Sequence, residues 1–273
     1  MKKKLVLGLA VLTLGAMSLT GCGGSSSGSK VSVVGSTTVA EPMEQLAEAY
    51  KGVAPDVEVE VQGNGSSAGI KAVSDGTADV GMSSRELSDS EKSLGLTETV
   101  IAYDGIAVVV NPANGVKDLT MDQVKGIYEG TITNWREVGG ADQDIIVVTR
   151  EAGSGTRSAF EEIVGLLDAD DASTITDTAL VSEGTGSIMA TVASKEAAIG
   201  YISLGYMDDT VVGVAIDGVE PTTETVKNDE YKISRPLLVL TKEANEATQN
   251  FVNYIVGEEG QEIMSEKYIS VLN

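Results

Sequence analysis

The feature that most constrains the fold of this chain is a repeated order in which a short strand pattern is followed by a helical one. An apolar run at 31–34 precedes a helical spacing at 41–50, and the same order recurs at 57–61 and 67–73. Strands that alternate with helices usually pair in parallel and are covered by those helices. We therefore predict an α/β protein with mostly parallel sheets, and 273 residues suit one large domain or two medium ones.

The alternation continues to the end of the chain. Residues 106–110 form a continuous apolar run, which is typical of a strand buried on both faces. The other predicted strands are 78–82, 145–149, 198–202 and 236–240, and the other predicted helices are 121–128, 187–194, 245–256 and 260–267. A further helix is predicted directly after Thr156.

Four segments place Gly, Ser or Thr residues directly after a predicted strand, where a helix would begin. They are 35–38 (GSTT), 63–67 (GNGSS), 83–85 (SSR) and 150–156 (REAGSGT). The first N–H groups of a helix lack partners within it and the helix dipole favours negative charge there, while hydroxyls and a guanidinium add donors. Each loop alone is also an ordinary helix cap. Because such loops meet beyond the carboxyl ends of the strands, together they predict one anion-binding cleft.

Composition excludes several other classes of function. The chain has 19 basic and 41 acidic residues, a formal net charge of -22, and no histidine. An acidic surface disfavours nucleic acid as a partner, and the missing histidine removes Ser-His-Asp catalysis and histidine metal sites. Residues 63–68 match the pattern of a dinucleotide loop, but the next predicted strand ends in Ser83-Ser84-Arg85 instead of an acidic residue. We therefore expect a binding protein with no cofactor and no metal ion, not an enzyme.

The N-terminus has the order of a bacterial lipoprotein signal. Three lysines at 2–4 precede a mostly apolar run at 5–19, and the segment Leu19-Thr20-Gly21-Cys22 ends in the only cysteine. We predict that residues 1–21 are removed and that Cys22 carries the lipid, with palmitate among its acyl chains. Residues 22–30 are rich in Gly and Ser and predict a flexible tether. The folded body is then expected on the extracytoplasmic face of the bacterial cell membrane, held there only by the lipid anchor.

Seven stretches, in this order, resemble the substrate-binding lipoproteins of Pst-type phosphate ABC transporters. They are VVGSTTV, VQGNGSSAGIKAV, ADVGMSSREL, DGIAVVVNP, ITNWREVGG, REAGSGTR and IGYISLGY, and the similarity runs from about residue 31 to the C-terminus. The resemblance implies a bilobal periplasmic-binding-protein fold of type II with two hinge crossovers. Lobe I is expected at 31–108 plus 231–273, and lobe II at 109–230. It also implies a monomer that binds inorganic phosphate between the lobes and delivers it to the permease subunits of a transporter.

The resemblance also implies which residues bind the phosphate. They are Thr37 and Thr38, Ser66, Ser84, and Arg150, Ser154, Gly155 and Thr156, with Ser36, Ser67 and Arg85 as neighbours. Members of that family often have a carboxylate where this chain has Ser84. A carboxylate there would accept the phosphate proton and reject sulfate, which carries none. We therefore expect another carboxylate to serve, Asp104 first and Glu41 or Glu151 next, whereas the alternative for Asp104 is a hinge or turn residue.

Four other functions stay open at this point. The chain could be a receptor for a different tetrahedral oxyanion, such as sulfate or molybdate, or a phosphate sensor without transport. A secreted phosphoesterase and an adhesin-like surface protein are the alternatives from other classes.

Overall fold

The computed structural model describes residues 29–272. The predicted signal peptide, Cys22 and nearly all of the tether lie outside the described residues. Within the described part of the chain, no helix combines the length and the apolar character that crossing a membrane requires.

Strands and helices alternate along the chain, as the sequence predicts. The first half contains β1 (Ser29–Gly35), α1 (Thr37–Tyr50), β2 (Val57–Gly63), α2 (Ser66–Ser74), β3 (Val80–Ser83), α3 (Asp89–Lys92), β4 (Thr97–Val110), β5 (Asp118–Leu119) and α4 (Met121–Glu129). The second half contains β6 (Ile146–Arg150), α5 (Gly155–Val164), β7 (Leu180–Ser182), α6 (Thr185–Ala193), β8 (Ala198–Ser203), β9 (Val212–Gly213), β10 (Ala215–Ile216), α7 (Thr223–Lys227), β11 (Ser234–Thr241), α8 (Glu246–Val256) and α9 (Glu258–Ser265). Two 3₁₀ turns lie at Trp135–Val138 and Leu204–Tyr206.

One sheet runs through the molecule in the order β2-β1-β3-β11-β4-β8-β6-β7, with β9 paired to β4, and a separate pair joins β10 to β5. The pairings of β1 with β2 and β3, and of β6 with β7 and β8, are parallel. Every antiparallel pairing in the sheet involves β4 or β11. The predicted parallel arrangement therefore holds on either side of these two strands, and not at the strands themselves.

Strand β4 is longer than the predicted run at 106–110, because it serves two lobes in succession. Residues 97–105 pair with β11, whereas 106–110 pair with β8. Ala102 packs in a core with Met43 of α1, and Ile106 packs in a different core with Phe160 of α5. The chain thus changes lobe near Gly105.

The second crossing lies at the start of β11, where Ile233 packs in the core of the second lobe and Leu237 in that of the first. The lobe boundaries expected from sequence, 31–108 plus 231–273 and 109–230, remain a prediction. The two positions at which the chain passes from one hydrophobic core to the other lie within a few residues of these predicted boundaries.

Candidate functional site

The N-termini of α1, α2, α5 and α6 meet between the two lobes. Thr38 Oγ1 of α1 lies 3.1 Å from Thr156 Oγ1 of α5, and Thr37 Oγ1 lies 3.3 Å from Thr185 Oγ1 of α6. The Ser67 N–H of α2 donates to the carbonyl of Gly153, just before α5, at 3.3 Å. Four positive dipole ends therefore point at one place.

The start of α1 is fixed by a tight turn that leaves β1. Gly35 has φ 145°, and a Cβ there would lie 2.2 Å from the Met82 carbonyl oxygen, so only glycine permits this turn. Ser36 is the N-cap, and its hydroxyl accepts a hydrogen bond from the Thr38 N–H at 3.2 Å. The Ser36 side chain therefore holds the helix start, while Thr37 and Thr38 present their hydroxyls to the second lobe.

Ser66 and Ser84 are buried side by side in the first lobe. The Ser66 hydroxyl accepts a hydrogen bond from the Ser84 N–H at 3.1 Å, and the two hydroxyl oxygens lie 3.4 Å apart. The predicted helix start at 83–85 is wrong, because α3 begins only at Asp89 and is capped by Ser88. Ser84 nevertheless reaches the site because it directly follows β3, next to β1 in the sheet.

Gly155 allows α5 to approach α2 closely. A Cβ at this position would lie 2.1 Å from Ser66 Oγ and 2.7 Å from Ser84 Oγ, so a larger residue would hold the two lobes apart. Ser154 is the N-cap of α5, and its hydroxyl accepts a hydrogen bond from the Arg157 N–H at 3.3 Å. The next residue, Thr156, brings its hydroxyl to Thr38.

Three hydroxyl pairs thus adjoin one another between the lobes, and we call them the hydroxyl cluster: Thr37 with Thr185, Thr38 with Thr156, and Ser66 with Ser84. All of its members except Thr37 are almost completely buried. A hydroxyl can donate one hydrogen bond and accept two, so the cluster offers donors whose directions can adapt to an oxyanion.

Arg150 brings the first guanidinium to this cluster from the end of β6. Its Nη2 donates to Thr37 Oγ1 at 3.1 Å, and Nε and Nη2 both bind the Glu151 carboxylate, at 2.9 and 2.7 Å. Burial raises the pKa of Glu151, but the hydrogen bonds and charge of Arg150 outweigh it, and the pKa lies below its ordinary value. The guanidinium is therefore paired and held in one orientation.

The backbone of Arg150 is fixed from two further directions. Its N–H donates to the Tyr201 hydroxyl at 3.2 Å, and its carbonyl accepts from Arg157 Nη1 at 2.9 Å. Tyr201 stacks on Phe160 in the core, with ring centroids 4.0 Å apart, and burial raises the pKa of Tyr201 to about 12. Packing in the second lobe thus determines where Arg150 points.

Sequence reasoning missed the start of α6. Thr185 is buried against Thr37, and the preceding Gly184 donates its N–H to Glu151 Oε2 at 3.3 Å. The signal was available, because residues 184–187 (GTGS) follow β7 and open a helix in the same way as the predicted loops.

Asp104 is completely buried but does not touch the hydroxyl cluster. Its Oδ2 accepts from Arg235 Nη2 at 2.8 Å and Nε at 3.2 Å, and its Oδ1 accepts from the Ser203 hydroxyl at 3.0 Å. Burial raises the pKa of Asp104, and the Arg235 guanidinium opposes that rise. Arg235, which sequence reasoning also missed, lies between this carboxylate and the cluster, with Nη2 at 3.5 Å from Thr38 Oγ1.

Three other candidates lie beside the cluster. Arg85 pairs with Glu91 at 2.6 Å and donates to the Ser67 hydroxyl at 3.4 Å, while the Glu41 carboxylate accepts from Lys267 at 2.7 Å. Among residues 29–272, no hydrogen bond joins Arg85, Ser67 or Glu41 to a side chain of the hydroxyl cluster.

The charges of the site balance, since Arg150 pairs with Glu151 and Arg235 with Asp104. An anion would therefore be bound chiefly by hydroxyls, by free N–H groups at the helix starts, and by the guanidinium N–H groups that the two carboxylates do not use. In the described part of the chain, no three His, Cys, Asp or Glu side chains form a group that could hold a metal ion.

Comparison with known proteins finds similarity along most of the chain. Residues 22–259 match the family model of the PBP superfamily domain. The phosphate-binding protein PstS of Bacillus subtilis is 33% identical over 247 residues, which cover 88% of this chain and 80% of that protein.

Solved structures of two relatives have the same fold. A putative phosphate ABC transporter substrate-binding protein from Clostridium perfringens, solved with bound phosphate, is 50% identical and superimposes with a TM-score of 0.85, covering 89% of this chain and 99% of that one. An ABC-type phosphate transport receptor from Vibrio cholerae is 41% identical with a TM-score of 0.78, covering 89% of this chain and 100% of that one.

Proposed function

The chain belongs to the PstS-type phosphate-binding proteins of the PBP superfamily, and we propose that it binds inorganic phosphate between its lobes and delivers it to an ABC transporter. The observation that carries this proposal is the meeting of four helix N-termini and a buried arginine at one cluster of hydroxyls. Such a site matches the four oxygens of a tetrahedral anion.

The proposed ligands are the residues that the sequence predicts and the fold brings together. They are Thr37, Thr38, Ser66, Ser84, Arg150, Ser154, Gly155 and Thr156. Hydroxyls and the guanidinium provide the side-chain contacts. Among the described residues, no protein group accepts a hydrogen bond from the N–H of Ser66, Gly155 or Thr156, which supports their role as donors to the anion.

Binding would close the lobes, because the ligands come from both. Thr38 and Ser66 belong to the first lobe, while Arg150 and Thr156 belong to the second. An anion that contacts both sides binds only the closed arrangement well, and so shifts the population towards it. A micromolar dissociation constant corresponds to about -8 kcal/mol, which a few charge-assisted hydrogen bonds in a buried site can provide.

As a binding protein of the PstS type the chain is extracytoplasmic. We further propose that it is a monomer held at the membrane by lipid on Cys22 and that it hands phosphate to the permease subunits. The positive, apolar and small-residue order of the first 22 residues supports the anchor.

Calorimetry with phosphate, arsenate, sulfate and molybdate on the chain lacking residues 1–22 tests the proposed ligand. We expect phosphate and arsenate, which share shape and protonation, to bind at micromolar concentration or below, and sulfate to bind more weakly. The variant Arg150→Met should lose binding. The matched variant Arg136→Met, which removes an exposed arginine paired with Asp142, should retain it.

Two outcomes would overturn the proposal. Tighter binding of sulfate or molybdate than of phosphate would indicate a receptor for a different oxyanion. Hydrolysis of a generic phosphate ester that depends on Ser154 would indicate a phosphoesterase.

A further inference from the structure

Arg235 is a buried arginine on a strand that crosses between the lobes. Its side chain is 1% exposed and lies opposite Asp104 in the antiparallel register of β11 with β4. The two residues that form this ion pair therefore sit one on each crossover strand, close to where the chain changes lobe.

The guanidinium also contacts two separate segments of the candidate phosphate site. Nη1 donates to the Ser84 carbonyl at 3.0 Å, and Nη2 lies 3.5 Å from Thr38 Oγ1. Ser84 and Thr38 belong to the loop after β3 and to the start of α1. One side chain thus joins two loops that are far apart in sequence.

The same network reaches the second lobe through Asp104. The carboxylate oxygen that does not bind Arg235 accepts from the hydroxyl of Ser203, the last residue of β8. A continuous path of hydrogen bonds therefore runs from Thr38 and Ser84, through Arg235 and Asp104, to the sheet of the second lobe.

Arg235 also limits the directions in which the Thr38 hydroxyl can donate. A guanidinium only donates, so Thr38 Oγ1 must accept from it, and the single O–H of Thr38 then points elsewhere. Its other neighbour is Thr156 Oγ1 in the second lobe, at 3.1 Å. Arg150 acts in the same way on Thr37. Each of the first two hydroxyls of α1 thus accepts from a guanidinium and keeps its own O–H, which can donate into the space between the lobes, where an oxyanion needs donors.

We propose that Arg235 is a positioning residue of the phosphate site, which orients the Thr38 hydroxyl and the Ser84 loop and ties their position to lobe closure through Asp104 and Ser203. This inference rests on the proposed phosphate-binding function. An ion pair that served stability alone would need no contact with either loop, and a buried ion pair is seldom more stabilising than apolar residues of the same volume.

The test compares inorganic phosphate binding by the wild type, by Arg235→Met, and by the double variant Asp104→Leu/Arg235→Met. The single variant leaves a buried, unpaired carboxylate and is expected to lose stability. The double variant removes both charges and is expected to melt, without phosphate, near the temperature of the wild type. Lys242→Met, at an exposed position just after β11, is the control.

For the double variant we expect a dissociation constant for phosphate raised by about 10- to 100-fold, since the donors of two loops lose their fixed orientation. Thr38→Val should then cost much less in the double-variant background than in the wild type, because Arg235 acts partly through Thr38. Arg235→Lys keeps the positive charge but not the planar guanidinium. It should bind phosphate more tightly than Arg235→Met but more weakly than the wild type.

The inference is overturned if the double variant binds phosphate within about threefold of the wild type, or if its effect and that of Thr38→Val simply add. Both outcomes leave the proposed function intact, because the wild type would still bind phosphate. Absence of phosphate binding by the wild type itself would instead refute the proposed function.

Discussion

Replacing Gly155 by alanine should weaken phosphate binding strongly and leave the stability of the ligand-free protein almost unchanged. An added Cβ would lie 2.1 Å from Ser66 Oγ, whereas ordinary contact begins at 3.4 Å, so the two segments would have to move apart by about 1.3 Å. Hydrogen bonds do not survive a lengthening of that size. The start of α5 and the pair Ser66 and Ser84 could then no longer contact the same anion.

The expected magnitude follows from the bonds that are lost. A hydrogen bond to a charged group contributes about 1.5–3 kcal/mol, so losing those from Ser66 and Ser84 costs about 3–6 kcal/mol. Since about 1.4 kcal/mol corresponds to a factor of ten, the dissociation constant for phosphate should rise by roughly 10²- to 10⁴-fold.

Stability without phosphate should change little in the same variant. Gly155 is not among the residues with positive φ, and it lies in the first turn of a helix, where alanine is favourable. The open molecule would accommodate the methyl group, and the smaller entropy of the unfolded chain would add about 0.4–1 kcal/mol of stability.

The assay is calorimetry with phosphate, together with thermal melts and small-angle scattering with and without the ligand. Gly153→Ala is the matched control in the same loop, because a Cβ at Gly153 would meet nothing within 4 Å. Binding by Gly155→Ala within about threefold of the wild type, or equal weakening in both variants, would refute the reasoning about close approach of the lobes.

Three further predictions concern single side chains. Because the folded-state pKa of Glu151 is depressed, its pairing with Arg150 contributes stability that is full above the ordinary pKa of 4.5 and is lost as the pH falls through the depressed value. Glu151→Gln should therefore flatten the acid side of a melting-temperature profile, and an unchanged profile would contradict this. Among residues 29–272 no N–H group donates to the Ser84 hydroxyl, which lies 3.4 Å from Ser66 Oγ, so it is available to accept the phosphate proton. Ser84→Ala should then weaken phosphate by about tenfold and sulfate less, whereas equal losses in a competition titration would exclude the role. Cys22→Ser should move the protein from the membrane fraction to the soluble fraction, and continued sedimentation with membranes would refute lipidation at that residue.

The three loops at 35–38, 63–67 and 150–156 could be predicted from the sequence because their signal is local. Each contains hydroxyl and glycine residues at the boundary between a strand and a helix, and the structure has a helix start at each one. The loop at 83–85 was correctly predicted to follow a strand, but its helix begins only at Asp89, since Ser88 supplies the cap.

Arg235 and the length of β4 could not be predicted in the same way. Arg235 directly precedes the predicted strand at 236–240, and nothing near it in sequence indicates an anion. Its partner Asp104 is 131 residues away, and Thr38 is 197 residues away. Strand β4 extends beyond its apolar run because its first half pairs with β11, which the chain forms only much later.

The sequence by itself determined most of the longer elements, their alternating order and the chemistry of each loop, because periodicity, capping and glycine placement act over a few residues. Tertiary structure alone decided which side chains face one another across the lobes. It paired Thr38 with Thr156 and placed Arg235 between Asp104 and the hydroxyl cluster. These choices depend on strand register and on the depth of burial, and neither exists until distant segments have packed together.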